Sequence, residues 1–327
     1  MDFFSHFLIG ILVSFFTLNK LSFSIVLYAG VMSVLADYDI ILEPLQLIKK
    51  SNLLAHKGIS HSFFYAAIIT AITGSIFSTI TGEPFFLAWL IGFLFYSMHN
   101  LLDFLTASKI PLFYPLSKKK YRFFIDRAIN IFLATISGSI ILFYFIIFFL
   151  WPELYFSNLV NYFLGFYVVY FTYRILTKIW VQFRLPKNMY YIPGIFPFTY
   201  LVYENKKLEE IISFKLVKKF QFRSKNSKLI ESEIKLFSNE MKLFEQAVLL
   251  SKKYSFFSKW EFIIPVIKKD EKNIIIILFL AESFMSGHMY SLEIVFDLVK
   301  NKLVNEVEGF NNRVKSNSQL YRMKLTS

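Results

Sequence analysis

Residues 55–62 read Ala55-His56-Lys57-Gly58-Ile59-Ser60-His61-Ser62, and an apolar run begins directly after them at Phe63. This is the longest polar interruption in an otherwise apolar N-terminal half. Two histidines five apart, with Gly58 between them to let the backbone turn, stand before a run long enough to cross a bilayer. Four of the five histidines fall in the first hundred residues, each near an acidic residue or another histidine. The pattern is that of a metal site at a membrane face.

Outward from this stretch, composition sets the class. The 327 residues are 55% hydrophobic and 20% aromatic, well above the roughly 45–50% apolar share of soluble domains, so the chain reads as a membrane protein. With 36 Lys+Arg against 23 Asp+Glu, the net charge of +13 fits cytoplasmic membrane loops before it fits nucleic acid. Cysteine is absent, which excludes disulfides and thiolate ligands and leaves imidazole and carboxylate to hold any metal. The start, Met-Asp-Phe-Phe-Ser-His, lacks the positive region of a signal peptide and is read as retained.

Apolar runs fall at 3–18, 22–42, 61–80, 84–107, 128–151 and 156–181, which predicts six spans, the first of them short. Loops on one side carry Lys49, Lys50, Lys57, Lys109, Lys118, Lys119, Lys120, Arg122 and Arg127, while the opposite loops carry only Lys20. The positive-inside rule therefore puts both termini and everything after the sixth span in the cytoplasm of a multi-pass inner or plasma membrane protein. The run Lys118-Lys119-Lys120 reads as an anchor on anionic headgroups.

The expected fold class is an all-α polytopic membrane domain of about six transmembrane helices over 1–182, a proline-rich irregular connector over 183–203, and a small cytoplasmic α+β soluble domain over 204–327. In that last domain Ile230, Ile234, Phe237, Met241, Phe244 and Val248 recur at three- and four-residue spacing, which predicts one helix near 230–250. Strands are expected at 211–222, 261–267, 273–281 and 290–298.

On this threading the ionisable residues gather at one leaflet. His6 opens the first span, Asp37 and Asp39 close the second, His56 and His61 precede the third, and His99 and Asp103 end the fourth. His99 and Asp103 are four apart and share a helix face. Asp37 and Asp39 are two apart, so both can serve one site only if the helix ends or loosens near Tyr38. Ionisable residues inside a span are functional candidates by default. His288, with no evident partner, reads as structural.

At these residues the chain resembles the membrane-bound predicted metal-dependent hydrolases of the YdjM-like group. The family pattern has an N-terminal His, an Asp-x-Asp, a His-Arg-Gly-x-Thr-His-Ser box and a His-x-x-x-Asp followed by Thr. It maps onto His6, then Asp37 and Asp39, then His56, Gly58, His61 and Ser62, then His99, Asp103 and Thr106. Lys57 stands where the family has Arg, and Ser60 where it has Thr; lysine keeps the charge but lacks the planar fork for bidentate phosphate contact. The set is also distantly similar to zinc-dependent phospholipase C and the single-strand nuclease fold.

The resemblance implies a hydrolase whose metal ligands are His6, Asp37, Asp39, His56, His61, His99 and Asp103, with Asp39, Asp103 and Lys57 as catalytic candidates. Seven ligands exceed what one zinc needs and favour a multi-ion site. The expected cofactor is a divalent ion, zinc first, then manganese or iron. The expected partners are the lipid bilayer and a lipid or lipid-linked phosphoester, favoured over nucleic acid by the depth of the site. The competing expectations are a membrane-tethered regulator or scaffold with a structural metal, and a transporter, whose ionisable groups belong near the midplane.

Overall fold

The computed structural model describes residues 1–42, 57–150, 156–285, 287–298 and 302–311. The chain divides into two units, Met1–Ile175 and Leu176–Ser327.

The first unit is helical. Its elements are α1 (Phe3–Leu18), α2 (Phe23–Leu35), a 3-10 turn (Ala36–Tyr38), α3 (Asp39–Leu42), a second 3-10 turn (Ile59–His61), α4 (Phe63–Thr81), α5 (Phe85–Phe104), α6 (Ile131–Leu150) and most of α7 (Phe156–Arg184). Side-chain oxygens of Asp2 and Ser62 cap α1 and α4, accepting from the backbone N–H of Ser5 and Tyr65. Gly82, at φ 77°, ends α4 in the left-handed conformation that favours glycine.

Among the described residues, four helical stretches are long and apolar enough to cross a membrane: Phe23–Ile41, Phe63–Thr81, Phe85–Phe104 and Leu159–Arg184. Phe3–Leu18 and Ile131–Ile147, the latter part of α6, are shorter apolar stretches, so four of the six expected spans reach that length among the described residues. Along α4, Ile68, Ile72, Ile76 and Ile80 make an exposed stripe at four-residue spacing, a face suited to lipid rather than water.

Among the described residues, two of the apolar cores join most of these helices. One joins Leu8, Ile9 and Leu12 of α1 to Leu133 and Ile140 of α6 and to Val160 and Tyr167 of α7. The other joins Ile25, Ala29 and Met32 of α2 to Ala88, Ile91 and Phe95 of α5. Small residues bring backbones close: a Cβ on Gly10 would fall 1.9 Å from Ser33 Oγ, so α1 and α2 meet where the polar residues of both begin.

A second buried polar cluster sits where α6 meets α7. Asp126 accepts from Asn130 Nδ2 at 2.7 Å and Arg174 Nη2 at 2.9 Å on Oδ1, and from the Tyr170 hydroxyl at 2.6 Å on Oδ2. Arg174 Nε also donates to Tyr170 Oη at 3.2 Å.

The second unit holds two four-stranded antiparallel sheets. The first runs β1 (Met189–Pro193), β2 (Thr199–Lys207), β3 (Ile211–Phe220), β4 (Arg223–Lys235), and the second β5 (Ile263–Lys269), β6 (Asn273–Leu280), β7 (Met289–Asp297), β8 (Leu303–Asn311). Helices α8 (Asn239–Ser251) and α9 (Ser255–Lys259) lie between them in sequence. Phe244 of α8 packs edge-on to Phe214 of β3 at 5.7 Å, and the Tyr203 hydroxyl of β2 donates to the Ile263 carbonyl of β5 at 3.0 Å.

Two expectations are corrected here. The helix placed at 230–250 is a strand to Lys235 and a helix only from Asn239. Ile230 and Ile234 are four apart, a spacing that suits one face of a helix and equally one face of a strand; Ser232 between them is buried too, which is the strand's period of two. Phe237 lies in the turn and is exposed. The irregular stretch expected at 185–197 within the connector is likewise partly ordered, since it holds β1. Pro193 is the last residue of β1, an edge strand, where a missing N–H costs no ladder bond.

Candidate metal centre

Helix α2 stops at Leu35 and the chain tightens into the 3-10 turn Ala36–Tyr38 before α3. That change of pitch turns Asp37 toward His61 and His99 and Asp39 toward His61 and the Lys57 backbone. The Lys57-Gly58 turn packs against the same group through that Lys57–Asp39 bond. Lys57 is left-handed at φ 59°, an uncommon conformation for a residue with a side chain. Tyr96 of α5 steadies the turn, its hydroxyl donating to the Ser60 carbonyl at 3.0 Å.

Asp37, His61, His99 and Asp103 each offer one ligand atom, and these atoms lie within 4.8 Å of one another. His61 Nε2 is 3.6 Å from Asp37 Oδ1 and 3.2 Å from Asp103 Oδ2; His99 Nε2 is 3.5 Å and 3.9 Å from the same two oxygens. His61, His99 and Asp103 are fully buried, and Asp37 is partly so.

Both imidazoles are held through their other nitrogen. His99 Nδ1 lies 2.8 Å from the Ser33 carbonyl, and His61 Nδ1 lies 3.3 Å from Asp39 Oδ2 and 2.9 Å from Ser60 Oγ. A carbonyl or carboxylate on Nδ1 fixes the ring and leaves Nε2 directed at an ion, the arrangement that metal-ligating histidines use. His99 Nε2 and Asp37 Oδ1 have no hydrogen bond among the described residues. Buried polar atoms are rarely left so without a ligand or water. Two imidazoles and two carboxylates make a donor set suited to a transition metal, so the residues present fit the ion.

The other expected residues surround this group. Asp39 Oδ2 accepts from the Lys57 backbone N–H at 3.0 Å and from Ser60 Oγ at 2.5 Å, so it supports His61 and shapes the turn. His6 stacks on His99 at 3.8 Å between ring centroids, and its Nε2 lies 3.2 Å from Asp103 Oδ1. Lys57 Nζ lies 2.9 Å from Asp103 Oδ2, and the Met1 amine pairs with Asp103 Oδ1. Burial opposes the charge on Lys57, but Asp103 outweighs it and holds the ammonium above the ordinary lysine value. His56 lies outside the described residues. In the second unit His288 pairs by a single antiparallel bridge with Met285.

Sequence reasoning did not single out Ser33, Ser60 or Tyr96 as supports of the site, nor the cluster of Asp126 and Arg174. A backbone carbonyl leaves no mark in sequence, so Ser33 could not have been found. Arg174 did leave one, as a charge inside an apolar run.

Compared with known proteins, residues 1–181 match the family model described as YdjM inner membrane protein. Neither the curated proteins nor the solved structures hold a match to the chain.

Proposed function

The chain belongs to the YdjM inner membrane protein family, and on that footing we propose that it is a metal-dependent hydrolase acting on a phosphoester of a lipid or lipid-linked substrate at the cytoplasmic leaflet. The observation that carries this reading is the group Asp37, His61, His99 and Asp103, with ligand atoms within 4.8 Å and both imidazoles fixed through Nδ1. Zinc suits two imidazoles and two carboxylates best; manganese or iron accept the same donors, whereas calcium prefers oxygen alone.

A bound divalent ion supplies a water of lowered pKa and a Lewis acid for a phosphoryl oxygen. The chain's own groups do the rest. Asp39 keeps His61 in one orientation, Ser33 does the same for His99, and the Lys57 ammonium places a positive charge against Asp103 where an anionic substrate oxygen can meet it. In this reading all six apolar helices cross the bilayer, and the basic loops put both termini, the second unit and the site on the cytoplasmic side. A lipid substrate then reaches the site without leaving its leaflet.

The test is metal analysis of the purified full-length protein, with His99→Ala and Asp103→Ala alongside, and turnover of a generic phosphodiester in the same preparations. The expected result is a transition metal and turnover in the wild type, and neither in folded variants. A wild type without metal, indistinguishable from its variants, ends the reading. Metal without turnover leaves a structural site and makes the protein a tethered scaffold.

A further inference from the structure

The β3–β4 hairpin carries a run of basic charge with no acidic residue in it. From Lys215 to Lys228 it reads Lys-Leu-Val-Lys-Lys-Phe-Gln-Phe-Arg-Ser-Lys-Asn-Ser-Lys, six basic residues and no acidic one. At its turn Phe222 is 72% exposed and stacks at 5.7 Å on Phe198, itself 53% exposed, in the connection between β1 and β2. Phe196 in that connection is exposed as well, and the Gln221 backbone N–H donates to the Phe198 carbonyl at 2.9 Å. Two turns are thus tied into one tip, with phenylalanine outermost and lysine and arginine behind.

The tip is anchored to the part of α7 that belongs to this unit. The Thr177 hydroxyl donates to Gln221 Oε1 at 3.4 Å. Thr177 lies seven residues before Arg184, about 10 Å along a helix, and Leu159–Arg184 is apolar enough to be a membrane span. Between Thr177 and the helix end, Trp180 and Phe183 are exposed and Arg184 sits 4.0 Å over the Trp180 ring. Tryptophan and a cation at the end of a span mark the headgroup level.

We propose that this tip is a lipid-interface anchor, Phe222 and Phe198 entering the headgroup and acyl boundary of an anionic bilayer while Lys218, Lys219 and Arg223 meet its phosphates. Apolar tips backed by basic residues bind bilayers in this way, through buried apolar area and attraction to anionic lipid together. Exposed aromatics among basic residues also suit single-stranded nucleic acid. The contact with Thr177 decides between them, because it places the tip beside the end of a helix apolar enough to cross a membrane. The inference does not depend on metal or hydrolysis.

The chain has no cysteine, so the test uses single-cysteine variants of the full-length protein carrying an environment-sensitive fluorophore. Phe222→Cys reports on the tip, and Phe237→Cys, at a residue 94% exposed elsewhere in the unit, is the control. Each is reconstituted in nanodiscs of phosphatidylcholine, with or without phosphatidylglycerol, and quenched by lipid bearing a nitroxide near the headgroup. The expected result is at least about twofold stronger quenching at the tip than at the control, increasing when phosphatidylglycerol is added. Equal quenching at the two positions, quenching that ignores phosphatidylglycerol, or shielding of the tip by a single-stranded oligonucleotide instead of lipid, overturns the proposal.

Discussion

Two buried polar clusters in the helical unit are built in opposite ways. In the cluster of Asp126, Asn130, Tyr170 and Arg174, one carboxylate meets one guanidinium, and both oxygens of Asp126 accept hydrogen bonds between 2.6 and 2.9 Å. Charge cancels inside the cluster and the donors around the carboxylate are supplied by the chain itself. At the candidate metal centre Asp103 pairs with the ammonium of Lys57 and the Met1 amine, Asp37 and Asp39 lie against the imidazoles of His99 and His61, and His99 Nε2 and Asp37 Oδ1 have no hydrogen bond among the described residues. A buried carboxylate whose two oxygens are both satisfied and matched by a guanidinium acts as a lock between helices; three carboxylates beside two amines, with imidazoles aimed into them, are a seat for a cation. The difference separates structure from function where burial alone does not, since Asp103 and Asp126 are both fully buried.

The sharpest way to break this contrast is to remove an imidazole. His61→Ala takes away a ring whose Nδ1 is already held and whose Nε2 faces Asp37 and Asp103. Metal affinity should fall by at least about 100-fold, the upper end of what loss of a mere supporting residue produces, as read by competition with a chelator. Unfolding of the metal-free protein should change far less. Unaltered affinity would make the centre a polar cluster of the same kind as the other.

The reverse experiment is Arg174→Met. It leaves Asp126 buried without its cation, which costs about 3–5 kcal/mol, so the thermal midpoint of the full-length protein in detergent should drop markedly. Protein that remains folded should bind metal as the wild type does. If Arg174→Met lost metal as well, the two clusters would be one system.

Much of the helical unit was legible because its signals are long. All six apolar runs are helices, and the Asp-x-Asp spacing required the end of α2 that the 3-10 turn provides. Strands β3, β5, β6 and β7 were legible from clustered Ile, Val and Phe. Strands β2 and β8 were not, since about half of each is polar residues such as Glu204, Asn205, Glu306 and Glu308, which break the apolar alternation. β4 hid because a four-residue spacing fits both periods. Within the site, the residue types were legible but not their division of labour. Asp37 and Asp39 look alike in sequence, and only the 3-10 turn sends one toward His99 and the other behind His61.

That division gives the third prediction. Asp39→Asn keeps the shape and the contact with the Lys57 backbone but removes the charge behind His61 Nδ1. Such a change typically weakens metal binding by about 10- to 100-fold, less than loss of the ring itself. A drop as large as that of His61→Ala would place Asp39 among the ligands, and no drop would sever it from the site.

The smallest effects come from a matched pair of buried tyrosines, one in each cluster. The Tyr170 hydroxyl donates to the charged Asp126 at 2.6 Å, and a hydrogen bond to a charged group contributes about 1.5–3 kcal/mol. The Tyr96 hydroxyl donates to a neutral carbonyl, that of Ser60, at 3.0 Å, a bond contributing about 0.5–1.5 kcal/mol. Tyr170→Phe should therefore lower stability more than Tyr96→Phe, in thermal unfolding of the metal-free protein. Metal affinity should order the two the other way. Ser60 bonds both Asp39 and His61, so loosening its carbonyl lets the ring drift, while nothing at Tyr170 touches a ligand. Tyr96→Phe should weaken metal binding a few-fold, about 0.5–1.5 kcal/mol at most, and Tyr170→Phe should leave it unchanged. A metal effect confined to Tyr170→Phe would invert the assignment of lock and seat.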